Sequence, residues 1–261
     1  MSFLRQTRPA LGAAAAILAL VPQLSFAQQQ PATAAAAATP WAVGLGVATS
    51  QRPYAGDSSK TIPFPFVSYE NDWFRIAGIG ADLKLGAVGP LTFALRAKYA
   101  FADGYKSGDA PILNGMQDRK GSLWLGPTVQ WKTDIAKLSF EVLGDALGKS
   151  KGVEARFGAE HDFRVDSFVF TPHVAAEFVD KKYVDYYYGV TAAEATANRA
   201  AYEGKSTVNL EAGLRAAFMI DPKNSVFVDG NAKALGKGIT DSPLVDRKTT
   251  ASFAVGYIYR F

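Results

Sequence analysis

The carboxyl-terminal run of the chain alternates strictly. Thr249, Ala251, Phe253, Val255, Tyr257, Tyr259 and Phe261 fall in one phase; Thr250, Ser252, Ala254, Gly256, Ile258 and Arg260 fall in the other. Successive side chains of a strand point to opposite faces, so the bulky apolar set shares one face. An apolar face that ends on aromatics suits a strand that meets lipid and anchors its end in the membrane interface. For such a chain half of every strand faces lipid, and "core" has to be read accordingly.

This ending resembles the terminal signal by which the barrel-assembly machinery of Gram-negative bacteria recognises outer-membrane barrels. Tyr257, Tyr259 and Phe261 are therefore expected to be insertion-signal and girdle residues. The other end agrees. Arg5 and Arg8 precede an apolar stretch at residues 10–21, too short for a spanning helix, which needs roughly 20 apolar residues. Ser25-Phe26-Ala27 reads as a cleavage site. The expected organisation is a signal peptide at residues 1–27, a flexible leader at 28–40 and an outer-membrane barrel at 41–261, exported by a Gram-negative bacterium.

The chain has no cysteine, which excludes disulfides, thiolate metal sites and thiol nucleophiles. After residue 27 no apolar stretch approaches spanning-helix length, so insertion must be by strands. The net charge is +4, and no basic cluster is interleaved with stacking aromatics. Nucleic acid is not an expected partner; outer-membrane lipid and lipopolysaccharide are.

Period-2 segments recur at 41–50, 62–70, 73–85, 91–101, 123–131, 138–142, 153–163, 168–178, 208–220 and 225–235, before the final strand. That tally is odd, whereas a barrel with both ends in the periplasm needs an even one. A tight turn at Gly78-Ile79-Gly80 would split 73–85 and give twelve strands, the preferred reading. Assigning 62–70 to an outer loop would give ten. Pro63 and Pro65 confine 62–70 to an edge or a rim. Connections alternate between short (134–136, 164–166, 221–224) and long (102–119, 180–205, 237–248). The fold class is thus all-β: a transmembrane antiparallel β-barrel with short periplasmic turns and long outer loops. In the longest loop, Thr191-Ala192-Ala193-Glu194 has the capping-box pattern and predicts a short helix near 191–202, stopped by Glu203-Gly204. Tyr186, Tyr187 and Tyr188 should pack on the rim beside it.

Phase also selects the lumen candidates: Arg96, Lys98, Glu141, Glu154, Arg156, Glu160, His173, Glu177, Glu211 and Arg215, with Asp82, Lys84, Asp145, Asp162, Asp229 and Lys233 on the same polar faces. In a narrow barrel these opposite charges should pair across neighbouring strands and largely fill the space. A narrow charged pore or a small-molecule pocket is the alternative. His161 falls in phase with the apolar face at a strand end. His173, with a serine beside it, would suit a lipid hydrolase, the third reading, but no serine stands at a matching phase. No catalytic residue, cofactor or metal ligand set is expected.

Three loop segments go beyond a generic barrel. Tyr54, Gly56 and Asp57 follow the first strand and precede the Pro63-x-Pro65 segment. Tyr187, Tyr188 and Gly189 sit in the longest loop. Asp241, Ser242 and Pro243 lead into the last strand. Together they resemble the MipA/OmpV family of outer-membrane proteins over essentially the whole chain after the signal peptide. Asp57-Ser58 reverses the family's usual order, and Thr191 stands where the family has serine. The resemblance implies a non-enzymatic scaffold or adaptor for peptidoglycan-remodelling proteins, joining a lytic transglycosylase to a penicillin-binding protein, or an envelope-stress protein.

Overall fold

The computed structural model describes residues 40–261 apart from 101 and 102. The expected signal peptide, and all but the last residue of the expected leader, lie outside the described residues. The strands are β1 (Trp41–Ser50), β2 (Lys60–Glu70), β3 (Phe74–Ala77), β4 (Gly80–Val88), β5 (Leu91–Ala100), β6 (Ser122–Lys132), β7 (Lys137–Asp145), β8 (Val153–Glu160), β9 (Phe163–Val165), β10 (Phe168–Val179), β11 (Thr207–Met219), β12 (Asn224–Ala234) and β13 (Thr249–Arg260). Each pairs antiparallel with its neighbour, and β13 returns to pair with β1, so the sheet closes on itself.

The thirteen segments make twelve staves. β8 and β9 lie along the same edge of β10 in one continuous register, His173 opposite Glu160 and Phe170 opposite Phe163. The interruption falls opposite Pro172, which has no N–H to give the ladder; its carbonyl still accepts from His161 N–H at 3.3 Å. The even count is completed at Gly78, whose φ of +57° makes the two-residue turn between β3 and β4. The unbroken hydrophobic phase through 73–85 is therefore two short staves, and the twelve-strand reading holds.

Phase assigns the two faces. Leu45 is 72% exposed on the lipid side while Phe64, on the neighbouring stave but in the inward phase, is 2% exposed. Aromatic pairs band the end where the chain terminates: Trp41 with Tyr69 at 4.6 Å, Phe168 with Phe218 at 4.9 Å, and Tyr259 with Phe261 at 5.1 Å between centroids. Such a band is where a membrane barrel carries its interfacial aromatics. His161 lies edge-on to Phe163 at 4.4 Å, on the same band.

The longest loop corrects the expected helix. Its α-helix is α1 (Lys181–Tyr188), ahead of the capping-box segment, and Asp180 caps it by accepting from Tyr183 N–H at 2.9 Å. Residues 191–202 form turns and isolated bridges instead. The Thr191–Glu194 contact does form, with Thr191 Oγ1 donating to Glu194 at 2.9 Å. However, the Glu194 carboxylate also accepts from Gln117 N–H at 2.9 Å and from Arg119 at 3.1 Å. Arg199, buried, donates to the carbonyls of Glu194, Ile112 and Asn114. These contacts to the β5–β6 loop outweigh the local helix preference of the alanines.

Candidate functional site: a capped, two-faced lumen

The four long loops fold over one end of the barrel. α1 turns Tyr183, Val184 and Tyr187 inward onto Trp124, Leu143, Val179 and Ile239. The i, i+1, i+4 spacing places them on one helix face. A second apolar cluster joins Tyr54, Tyr105, Leu113, Met116, Val190 and Leu244 from all four loops. Ion pairs clamp it: Arg52 to Asp57 at 2.6 Å and to Asp109 at 3.1 Å, and Arg119 to Glu194.

The three loop motifs meet in this cap. The Tyr54 ring stacks on Tyr188 at 5.7 Å, and its hydroxyl donates to Tyr187 O at 3.3 Å. Ser242 Oγ donates to Tyr188 O at 2.6 Å. Ala55 N–H donates to Leu244 O, just beyond Pro243. Gly56, at φ +73°, turns against Pro111, and Asp57 O accepts from Arg247 at 3.0 Å. Gly189 ends α1 by donating to Asp185 O. Asp241 stays exposed. Residues scattered from 54 to 243 thus build one lid.

Beneath it is a chamber of about 360 Å³. All ten lumen candidates line it: Arg96, Lys98, Glu141, Glu154, Arg156, Glu160, His173, Glu177, Glu211 and Arg215. Arg96 grips Asp82 with two bonds (2.7 and 2.8 Å) and Glu141 with a third at 2.5 Å. Lys98 pairs with Glu154 and approaches Glu141 at 3.6 Å. Arg156 holds Glu211 with two bonds (2.8 and 3.1 Å). Lys233 holds Glu177 at 3.1 Å, Lys137 holds Glu160 at 2.8 Å and Arg215 holds Asp229 at 3.1 Å.

Small inward residues let some pairs reach across a stave. Gly126 of β6 lies opposite Arg96, so the guanidinium passes over it to Glu141 on β7. Ala175 of β10 faces both Gly158 and Glu211, clearing the way from Arg156 on β8 to β11.

A second inward cluster, on β1, β2, β11, β12 and β13, is apolar, which phase alone did not reveal. Phe64, Phe66, Phe227 and Ile258 pack with Ala48, Ala217 and Ala254. A Cβ at Gly46 would stand 2.5 Å from the Phe64 ring, and one at Gly256 would stand 2.7 Å from Phe227. Those glycines make room for the rings. The alternation of β2 hid the cluster because Pro63, Pro65 and Val67 on its other face are also apolar. A second chamber of about 290 Å³, lined by Arg75, Lys84, Thr92, Thr128 and Lys132, lies toward the chain-terminus end.

His173 makes no nucleophile–base pair. Its Nδ1 meets the Thr171 carbonyl at 3.4 Å and its Nε2 meets the Asn231 amide at 3.4 Å; neither partner is a nucleophilic hydroxyl.

Asp103, missed from sequence, descends from the β5–β6 loop into the chamber. Burial first, then Glu154 and Glu177, push its carboxyl from 3.8 up to about 7, against the pull of Lys98 and Lys233. The folded chain holds that proton between about pH 4 and 7 while the unfolded chain releases it. The docked loop is therefore most stable below this window and loses stability as pH rises through 7. Limited proteolysis of the cap should be slower at pH 5 than at pH 8, measured against an unstructured peptide standard. Asp103→Asn should flatten that difference; an unchanged pH dependence in the variant would remove Asp103 from the account.

A closed antiparallel barrel with a lipid-facing wall, an aromatic girdle and long loops gathered at one end is an outer-membrane β-barrel. Comparison with known proteins narrows the class. The chain belongs to the family described as MltA-interacting protein MipA, which it matches over residues 43–261. It is 26% identical over 224 residues to the MltA-interacting protein of Escherichia coli K12, covering 85% of this chain and 90% of the relative. It is 24% identical over 237 residues to the putative outer membrane protein YiaT of the same strain, covering 88% and 95%. The outer membrane protein OmpV of Vibrio cholerae is 25% identical over 142 residues, covering 54% and 55%. Among solved structures, the NanC porin aligns with a TM-score of 0.45 at 11% identity, covering 83% of this chain and all of that one. A FadL homologue from Pseudomonas aeruginosa aligns with a TM-score of 0.44 at 9% identity, covering 85% and 90%.

Proposed function

We propose that the chain is a non-enzymatic outer-membrane adaptor that holds peptidoglycan-remodelling proteins at the membrane, a lytic transglycosylase foremost. The observation that carries this reading is the double closure of the barrel. Packed loops cover one end, and ion pairs with an aromatic cluster occupy much of the interior. Such a barrel is poorly suited to free diffusion of solutes and well suited to serve as a rigid membrane mount. The name of the E. coli relative, an interaction with MltA, points the same way. The periplasmic face would be the short turns, where Ile135 stands 81% exposed. The barrel, embedded in nanodiscs and immobilised, should retain a lytic transglycosylase from a periplasmic extract. Retention equal to that of an empty nanodisc would count against the adaptor.

The chamber of about 360 Å³ favours a second reading, a small-molecule-binding barrel or narrow channel. Discrete single-channel openings of the unaltered protein in planar bilayers would support it over the mount.

A further inference from the structure

The wall has a break. β3 and β4 turn at Gly78-Ile79, so β3 pairs with β2 only at residues 68–70. Among the described residues no strand pairs with β2 residues 60–66 on that side, whereas β1 pairs with all of them on the other. β4 covers β5 as far as Lys98, and Ile79 O accepts from Tyr99 N–H, so it is β2 that runs past the end of the β3–β4 hairpin.

Which β2 groups face this gap follows from the ladder. Glu70 N–H donates to Pro40 on the β1 side, and Val67 O accepts from Gly78 on the β3 side. Peptide groups alternate sides along an antiparallel strand, so Thr61, Pro63, Pro65 and Val67 turn theirs toward the gap. At two of these positions proline removes the N–H altogether. An open sheet edge in hydrocarbon is costly because its donors and acceptors find no water. Pro63 and Pro65 lower that cost and prevent a further strand from adding to the edge. The prolines thus take two donors off this edge of β2, whose loop-side end is tied to the β5–β6 loop by Lys60 and Asp109 at 3.3 Å.

The opening lies in the lipid-facing band. Pro65 is in register with Leu45, and Pro63 with Val47, both exposed on the outside. Inside, the chamber wall includes Phe66, Gly78, Ile79 and Tyr99, the two sides and the sill of the gap. The gap also sits at the border of the two-faced lumen. Phe64 and Phe66 on β2 begin the apolar half, and Asp82 and Arg96 on β4 and β5 begin the charged half.

We propose that this break is a lateral port through which an acyl-chain lipid of the membrane reaches the chamber, its chain along Phe66 and its polar group toward the charged wall. The occupant is a lipid because the gap is continuous with the lipid-facing surface and its walls pair apolar with charged.

The test is photo-crosslinking of the full barrel in vesicles of phosphatidylethanolamine and phosphatidylglycerol. The photoreactive residue p-benzoyl-phenylalanine replaces Phe66, with Leu45 as the lipid-facing control and His173, across the lumen from β2, as the interior control. Lipid adducts at Phe66 approaching those at Leu45, and several-fold above those at His173, are expected. Adducts at Leu45 alone, or equal adducts at Phe66 and His173, would overturn the port. Ile79, at the sill of the gap and on the chamber wall, supplies a second position with the same expectation if the Phe66 variant folds poorly, folding being read from heat-modifiable gel migration.

Discussion

Replacing Arg96 with alanine is expected to lower the unfolding free energy of the barrel by about 3–5 kcal/mol, the usual cost of removing one partner from a buried ion pair. Arg96 is 5% exposed and satisfies two carboxylates at once, those of Asp82 and Glu141. Without it Asp82 loses the two bonds that hold it, and Glu141 is left with Lys98 at 3.6 Å. Both carboxylates are buried, Asp82 9% and Glu141 5% exposed. The measurement is a urea or guanidinium midpoint read by tryptophan fluorescence, with an unchanged slope showing that the same surface is exposed. A second variant separates charge from packing. Arg96→Met combined with Asp82→Asn and Glu141→Gln should recover most of the loss, since deleting a whole buried ionic group is often close to neutral. If Arg96→Ala alone leaves the midpoint in place, the lumen is wetter than these distances imply.

The ion network was legible because it obeys the same period as the wall. Asp82 faces Arg96, Glu211 faces Lys233 and Arg215 faces Asp229 in direct cross-strand register. Residue type and phase therefore sufficed to gather these residues in the lumen. They did not suffice for the partners of Arg156. Its register neighbours are Glu141 and Glu177, yet it bonds Glu211 two staves away. Such a reach depends on a small residue in the intervening stave, which strand periodicity does not mark.

The loops were legible as motifs and illegible as geometry. Tyr54, Tyr188 and Ser242 stood out in sequence, but their convergence depends on how four separated segments pack. The helix error has the same origin. Glu194 has the local pattern of a cap, but its carboxylate also binds Gln117 N–H and Arg119 in another loop. Pro63 and Pro65 are the contrary case. They implied an edge, and a closed barrel has none except where its staves are of unequal length, which is where they lie.

Gly204→Val is expected to convert a silent barrel into a conducting one. Gly204 is buried against α1, and its N–H donates to Asp185 Oδ1 at 2.8 Å. A Cβ there would stand 2.2 Å from Asp185 N, 2.5 Å from Asp185 Cα and 2.6 Å from the Val184 carbonyl carbon. All three are helix backbone, so no rotamer change relieves the clash and α1 must move off its seat. That seat is the apolar contact of Tyr183, Val184 and Tyr187 with Trp124 and Ile239, which roofs the chamber. The wall strands are untouched, so the denaturation midpoint should shift far less than for Arg96→Ala. In planar bilayers the unaltered barrel should show no discrete openings and the variant should show them, with faster proteolysis of residues 180–206. A variant that stays silent while its cap is cleaved faster would place the barrier deeper, in the ion-paired layer around Arg96 and Glu141, and would assign the cap to recognition instead of closure.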